Sequence, residues 1–182
     1  SKHFQIPKNI SNLITTQQFN QLFKYYKNNE SLQAGIKYFL QKDAEKKYYS
    51  GFTKEALEAY KFLDNKINTK SPTHFFMAGI SAYKLEDINN AKKYFTKCND
   101  FILSSPHKYS PNLRAACLYW TAKTISSNKE RKELYIKASN FDRTMYGQLA
   151  IEKLKKKESF VWKKSRYEKL TYQNTNILNH NV

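Results

Sequence analysis

The sequence predicts an all-α chain of antiparallel helix hairpins stacked into a right-handed superhelix. Three observations point there. Gly and Pro number only four each in 182 residues; both interrupt regular elements, so their scarcity favours long helices joined by short links. Apolar residues recur at helical spacing along most of the chain. A short motif of small residues also recurs 44 residues after its first appearance, about the length of one helix pair with its links. Hydrophobic residues make up 40% and aromatic residues 15%, enough for a packed core and too rich for a disordered chain.

Residues 1–14 read as an irregular lead-in around Pro7. Thr15 to Gln18, T-T-Q-Q, reads as a capping box. Phe19, Leu22, Phe23 and Tyr26 follow at i, i+3, i+4 and i+7, the stripe of an amphipathic helix. Asn28-Asn29 ends it. A second helix starts near Ser31, with Leu32, Ile36, Phe39 and Leu40 on one face, and the segment from Lys42 to Tyr49 is helical too. Gly51 breaks the chain, Thr53 can cap, and Ala56, Leu57, Tyr60 and Leu63 mark the next helix. Ser71-Pro72 and Ser110-Pro111 each set a capping side chain before a proline at the first helical position, where its missing N–H costs nothing. Further helices carry Ala115, Ala116, Ala122 and Ile125, then Leu134, Tyr135 and Ala138 after a turn near Ser127-Asn128. A last long helix from about Arg143 carries Tyr146, Gly147, Leu149, Ala150 and Leu154. The repeat domain is expected over 15–170, with a polar tail over 171–182.

Ala34-Gly35-Ile36 recurs as Ala78-Gly79-Ile80. After Gly79 come Ala82 at +3, Ala91 at +12, Phe95 at +16 and Cys98 at +19. This spacing resembles the tetratricopeptide repeat: small residues let antiparallel helices approach and an aromatic fills the space beside them. Leu85-Glu86-Asp87 supplies the turn between the paired helices. Gly79 and Gly147 are expected where two helix backbones come close.

The stretch from Phe75 to Leu154 resembles the superhelical domain of soluble lytic murein transglycosylases. Three pieces carry the resemblance: Phe75-Phe76-Met77-Ala78-Gly79-Ile80 with Ala91 and Phe95; Arg114-Ala115-Ala116 with Tyr119-Trp120 and Ala122; and Tyr146-Gly147-Gln148-Leu149-Ala150, the family's Y-G-Q-L-A. Leu118 displaces the Tyr-Trp pair by one residue, and Ala122-Lys123 stand where Gly-Arg is common. The resemblance implies a periplasmic protein in which the superhelix does no chemistry but helps hold the peptidoglycan glycan strand. A lysozyme-like domain cuts that strand, leaving a 1,6-anhydro end. The domain's signature, a Glu-Ser pair followed by G-L-M-Q, is not met: Glu158-Ser159 has no such sequel. Glu158 reads as a solvated residue, and no catalytic residue is expected in this chain. Tyr119, Trp120 and Tyr146 are the candidate glycan contacts, against a reading of the same residues as inter-repeat core. Gly79, Ala91, Phe95, Gly147 and Gln148 are the structural positions.

Other constellations are sparse. His3, His74, His107 and His180 have no i, i+4 partner and no cysteine at ligand spacing, so no metal or cofactor is expected. Cys98 and Cys117 are too few for a disulfide framework. They read as two buried free thiols, with a bridge open if adjacent hairpins bring them together. No apolar run is long enough for a membrane span. The chain lacks an initiator Met, and the expectation is a processed chain whose export signal has gone. The net charge is +17. It suits a polyanion, or it reflects the Lys, Asn, Ile, Tyr and Phe bias of an AT-rich coding sequence. The segment from Lys153 to Lys169 interleaves basic residues with Phe160, Trp162 and Tyr167, as a polyanion groove or as a solvated helix with docked aromatics. Two rivals to the glycan reading are a tetratricopeptide-like scaffold with a protein or peptide partner in its concave face and, less favoured, a basic nucleic-acid binder.

Overall fold

The computed structural model describes residues 3–155. These residues form nine α-helices and no strand, so the chain is all-α. It divides into two compact units between Asp87 and Ile88. The division falls inside the helix pair that the sequence joins through Leu85-Glu86-Asp87.

In the first unit, α1 (Lys8–Thr15) lies where the sequence suggested an irregular lead-in. Its buried residues Ile10, Leu13 and Ile14 fall at helical spacing and dictate a helix, and Pro7 directly before it fits a helix start. The expected capping box is likewise corrected. Thr15 and Thr16 point backwards, each hydroxyl donating to Asn12 O, and α2 (Phe19–Asn28) starts at Phe19 with no side-chain cap. Asn29 separates α2 from α3 (Glu30–Tyr49), which runs unbroken through Lys42 to Tyr49. Thr53 is the first residue of α4 (Thr53–Phe62) and not its cap. A π-helical turn, Leu63–Ile67, prolongs α4 and ends at Asn68 in the left-handed region. Then α5 (Pro72–Lys84) opens as expected: Ser71 Oγ accepts from His74 N at 3.4 Å, with Pro72 at the first position.

Three helix ends in this unit close the same way. At α1 the N–H of Gln18 reaches Leu13 O, at α3 that of Phe52 reaches Lys47 O, and at α5 that of Asp87 reaches Ala82 O. In each case the preceding residue is left-handed: Gln17 (φ 57°), Gly51 (φ 82°) and Glu86 (φ 61°). This pattern satisfies carbonyls that a helix end otherwise leaves open. Helices α1, α2 and α3 pack on one another, α4 packs on α3, and α5 on α4. Leu22, Ile36, Leu40, Ala56 and Phe76 are fully buried in this unit. Gly35 makes room for the segment before α1: a Cβ there would sit 2.8 Å from Ile6 Cγ2. Gly79 is buried on α5.

The second unit begins with α6 (Ile88–Leu103), followed by a 3-10 turn at Pro106–Lys108 and then α7 (Pro111–Thr124), α8 (Asn128–Ser139) and α9 (Met145–Lys155). Ser110 and Ser127 cap α7 and α8 through Leu113 N and Glu130 N. At the other end of α7, Arg131 donates twice to Ile125 O, at 3.0 and 2.7 Å, and so satisfies a carbonyl beyond the last turn. Consecutive helices pack together from α6 to α9, and α7 also meets α9.

Cys98 on α6 and Cys117 on α7 are joined by a disulfide, S–S 2.03 Å, which corrects the expectation of two free thiols. The small-residue positions that let α6 and α7 approach bring their Cα atoms to 6.0 Å, within bridging reach. Closing a loop with a sequence separation of 19 removes denatured-state entropy worth about 3 kcal/mol. Beside the bridge, Asn99 Nδ2 donates to Thr121 Oγ1 at 2.6 Å, and Thr121 Oγ1 donates to Cys117 O. Asn99 and Thr121, the polar side chains beside the bridge, are thus satisfied locally.

Candidate functional site

The motif residues of the second unit come together, but as core. Tyr119, Trp120 and Tyr146 are at most 5% exposed. The Tyr119 ring lies 5.4 Å from Tyr146 and 6.0 Å from Trp120, and Phe95 of α6 stacks on Trp120 at 5.8 Å. Rings whose faces are taken by one another offer none to a sugar. The three act as packing between α7 and α9, which favours the reading of these residues as core. Ala91 and Phe95 are buried on α6, as their structural role requires.

Gly147 does sit at a close backbone approach, but to a turn and not to a second helix. A Cβ there would lie 1.9 Å from Phe141 O. Gln148 holds the same turn, its Nε2 donating to Asp142 O. Thr144 Oγ1 donates to Phe141 O and accepts from Gly147 N. Arg114 of α7 lies over the Phe141 ring at 4.8 Å. The Arg114 piece and the Tyr146-Gly147-Gln148 piece, far apart in sequence, build one packed corner.

The first unit holds a second constellation that no sequence motif announced. Along α3, Tyr38, Lys42 and Glu45 fall at i, i+4 and i+7, one face of the helix. Tyr38 is 41% exposed, with Phe4 tilted against it at 5.2 Å and Lys42 Nζ over its ring at 5.9 Å. Lys42 pairs with Glu45 at 3.6 Å. Glu45 Oε1 accepts from His74 Nε2 of α5 at 3.0 Å, and the Tyr60 ring of α4 lies 5.6 Å from that imidazole. His74 Nδ1 is buried without a hydrogen-bond partner among the described residues. Spacing on α3 made Tyr38, Lys42 and Glu45 legible as one face. Nothing local pointed to His74, whose partner is 29 residues away.

The electrostatics of this strip are those of a held carboxylate. The hydrogen bond from His74 lowers the Glu45 pKa, burial opposes it, and the charge of Lys42 adds to the lowering. Burial pushes the Tyr60 hydroxyl well above its usual value, with Tyr48, Glu45 and Tyr49 adding to the rise, so Tyr60 keeps its proton and donates to Met77 Sδ. A carboxyl serving as general acid near neutral pH needs the opposite shift. Glu45 is built as a fixed acceptor. Nearby, burial lowers the pKa of Lys84, whose Nζ lies over the Tyr48 ring.

Among the described residues no group of three or more His, Cys, Asp or Glu could hold a metal ion, and no helix is long and apolar enough to cross a membrane. Glu158, the aromatic-basic segment beyond Lys155 and the polar tail lie outside the described residues. Compared with known protein families, curated proteins and solved structures, the chain matches none.

Proposed function

We propose that this chain is a non-catalytic helical scaffold of the kind found in soluble lytic murein transglycosylases, with tetratricopeptide-like hairpins wound into a right-handed superhelix, and that it helps hold a peptidoglycan glycan strand for cleavage by a separate catalytic domain. The observation that carries this reading is the corner at Phe141. The two pieces of the resemblance within the second unit meet there, and each motif residue has its own part in the packing. Arg114 covers the ring, Gly147 admits the carbonyl, and Gln148 ties the turn. Consecutive packing of α6 to α9, with α7 against α9, is the contact order that stacked hairpins require. The Cys98–Cys117 bridge supports an oxidising compartment, in keeping with a periplasmic location.

The test uses purified sacculi. The chain is expected to sediment with them, to do so less as salt rises, and to release no anhydro-muropeptides. Sedimentation equal to that of an unrelated basic protein at each salt concentration overturns the reading. So does release of anhydro ends by this chain alone.

A further inference from the structure

We infer that α3 carries a docking groove for an extended segment of a partner protein, and that residues 3–7 of this chain are a releasable strap seated in it; this stands whether or not the glycan reading holds. Residues 3–7 have no regular structure, and their exposure alternates. His3, Gln5 and Pro7 are exposed while Phe4 and Ile6 are half-buried, the period of an extended segment laid on a surface. Phe4 rests on Tyr38, ring centroids 5.2 Å apart. Ile6 fills a notch at Gly35. A Cβ there would meet Ile6 Cγ2 at 2.8 Å and Gln5 O at 3.4 Å and, among the described residues, no other atom within 4 Å outside its own stretch of helix. Gly35, Tyr38 and Lys42 fall at i, i+3 and i+7 on one face of α3, with Lys42 Nζ over the Tyr38 ring at 5.9 Å. The groove thus takes an aromatic residue and, two positions on, a β-branched one, in a segment running antiparallel to the helix.

Two side chains hold the strap. Among the described residues, no backbone group of residues 3–6 is hydrogen-bonded. Pro7 has no N–H to give, and the hydrogen bonding of α1 begins just after it, with Ser11 N donating to Pro7 O. Helix α1 has anchors of its own: Ile10, Leu13 and Ile14 are buried, and Lys47 Nζ donates to Thr15 O at 3.0 Å. The strap can therefore leave α3 without unwinding α1. Its departure bares the Gly35 backbone and more of the Tyr38 ring, which is 41% exposed even with Phe4 in place. A partner segment with the same aromatic and β-branched spacing recovers the contacts that Phe4 and Ile6 give up. Until then the tethered strap fills the groove at an effective concentration of about millimolar, and an outside segment binds more weakly in proportion to the fraction of open groove. The strap acts as a competitor from within, and a partner must outbid it.

The experiment follows backbone amide shifts of the full chain titrated with a synthetic peptide of residues 3–8, His-Phe-Gln-Ile-Pro-Lys. Weak, saturable shifts confined to residues 3–7 and Glu30–Tyr49 are expected in the wild type. The double variant Phe4→Ala, Ile6→Ala loosens the strap and is expected to bind the peptide at least about tenfold more tightly. Adding Gly35→Leu to that variant fills the notch and is expected to abolish saturation. A peptide with Ala in place of both Phe and Ile is expected not to bind. Equal binding to the wild type and the strap variant overturns the proposal, as does no binding to the strap variant. Binding that survives Gly35→Leu, or equal binding of the alanine peptide, overturns it too. A wild-type dimer, seen by light scattering and lost in the strap variant, marks exchange of the strap between copies and overturns the assignment to a separate partner. Far-UV circular dichroism matching the wild type keeps a loss of binding from being a loss of fold.

Discussion

At the scale of single residues, two glycines separate what a Cβ costs against backbone from what it costs against a side chain. A methyl at position 147 meets the Phe141 carbonyl at 1.9 Å, and that carbonyl is pinned by Thr144. Gly147→Ala is expected to lower stability by about 3 kcal/mol, the upper range for overpacking. At position 35 the obstacles are the Cγ2 branch methyl of Ile6 at 2.8 Å and Gln5 O at 3.4 Å, both on the segment before α1, which must shift by a few tenths of an ångström to make room. Gly35→Ala is expected to cost about 1 kcal/mol, less than the change at position 147. Urea midpoints of both variants check the contrast. Glu45 supplies a pH signature. Its folded-state pKa is depressed, first by His74, so its contribution is present above the unfolded carboxyl value of about 4.3 and is lost as pH falls through the lower folded value. Glu45→Gln should therefore be less stable than the wild type at pH 7, with the gap closing below about pH 4 in urea melts. Sequence alone could mark position 147 as a mid-helix glycine in need of a reason. It could not say that the reason is a turn carbonyl, because the turn through Phe141 becomes visible only once α8 and α9 are packed.

At the scale of elements, helix starts were more legible than helix ends. Ser71-Pro72 and Ser110-Pro111 announce themselves because cap and proline act on adjacent backbone atoms. The left-handed conformation at Gln17 and Glu86 does not, even where the turn at Leu85-Glu86-Asp87 was read, since a side chain other than Gly disfavours that conformation and only the rest of the fold enforces it. Glu86 is exposed, and its N–H donates to Tyr83 O, a bond that Gly retains. Glu86→Gly is thus expected to stabilise the first unit by about 1 kcal/mol, seen as a higher thermal midpoint. Gln17 is a poorer site for the same change because its Nε2 also donates to Glu55 O. The missed α1 has a plain cause. Pro7 reads equally as a loop residue and as a helix start, and Ile10, Leu13 and Ile14 decide between them only when their helical spacing is counted.

At the scale of the whole molecule, basic residues recur along the described sequence. Every described helix carries at least one Lys or Arg, as a compositional bias would give. The division of the chain between Asp87 and Ile88 was not legible, because the repeat spacing joins α5 and α6 as strongly as any other pair. The Cys98–Cys117 bridge has a further consequence for the integrity of the polypeptide. Lys108 lies exposed in the 3-10 turn between the two cysteines, the kind of loop tip where proteases nick folded proteins. Trypsin acting after Lys108 severs the backbone and leaves the product one molecule. Without reductant the cut chain runs intact on a denaturing gel, and with reductant it falls into two pieces. The second unit thus has two independent covalent routes between α6 and α7, and losing the peptide route alone does not set its halves free.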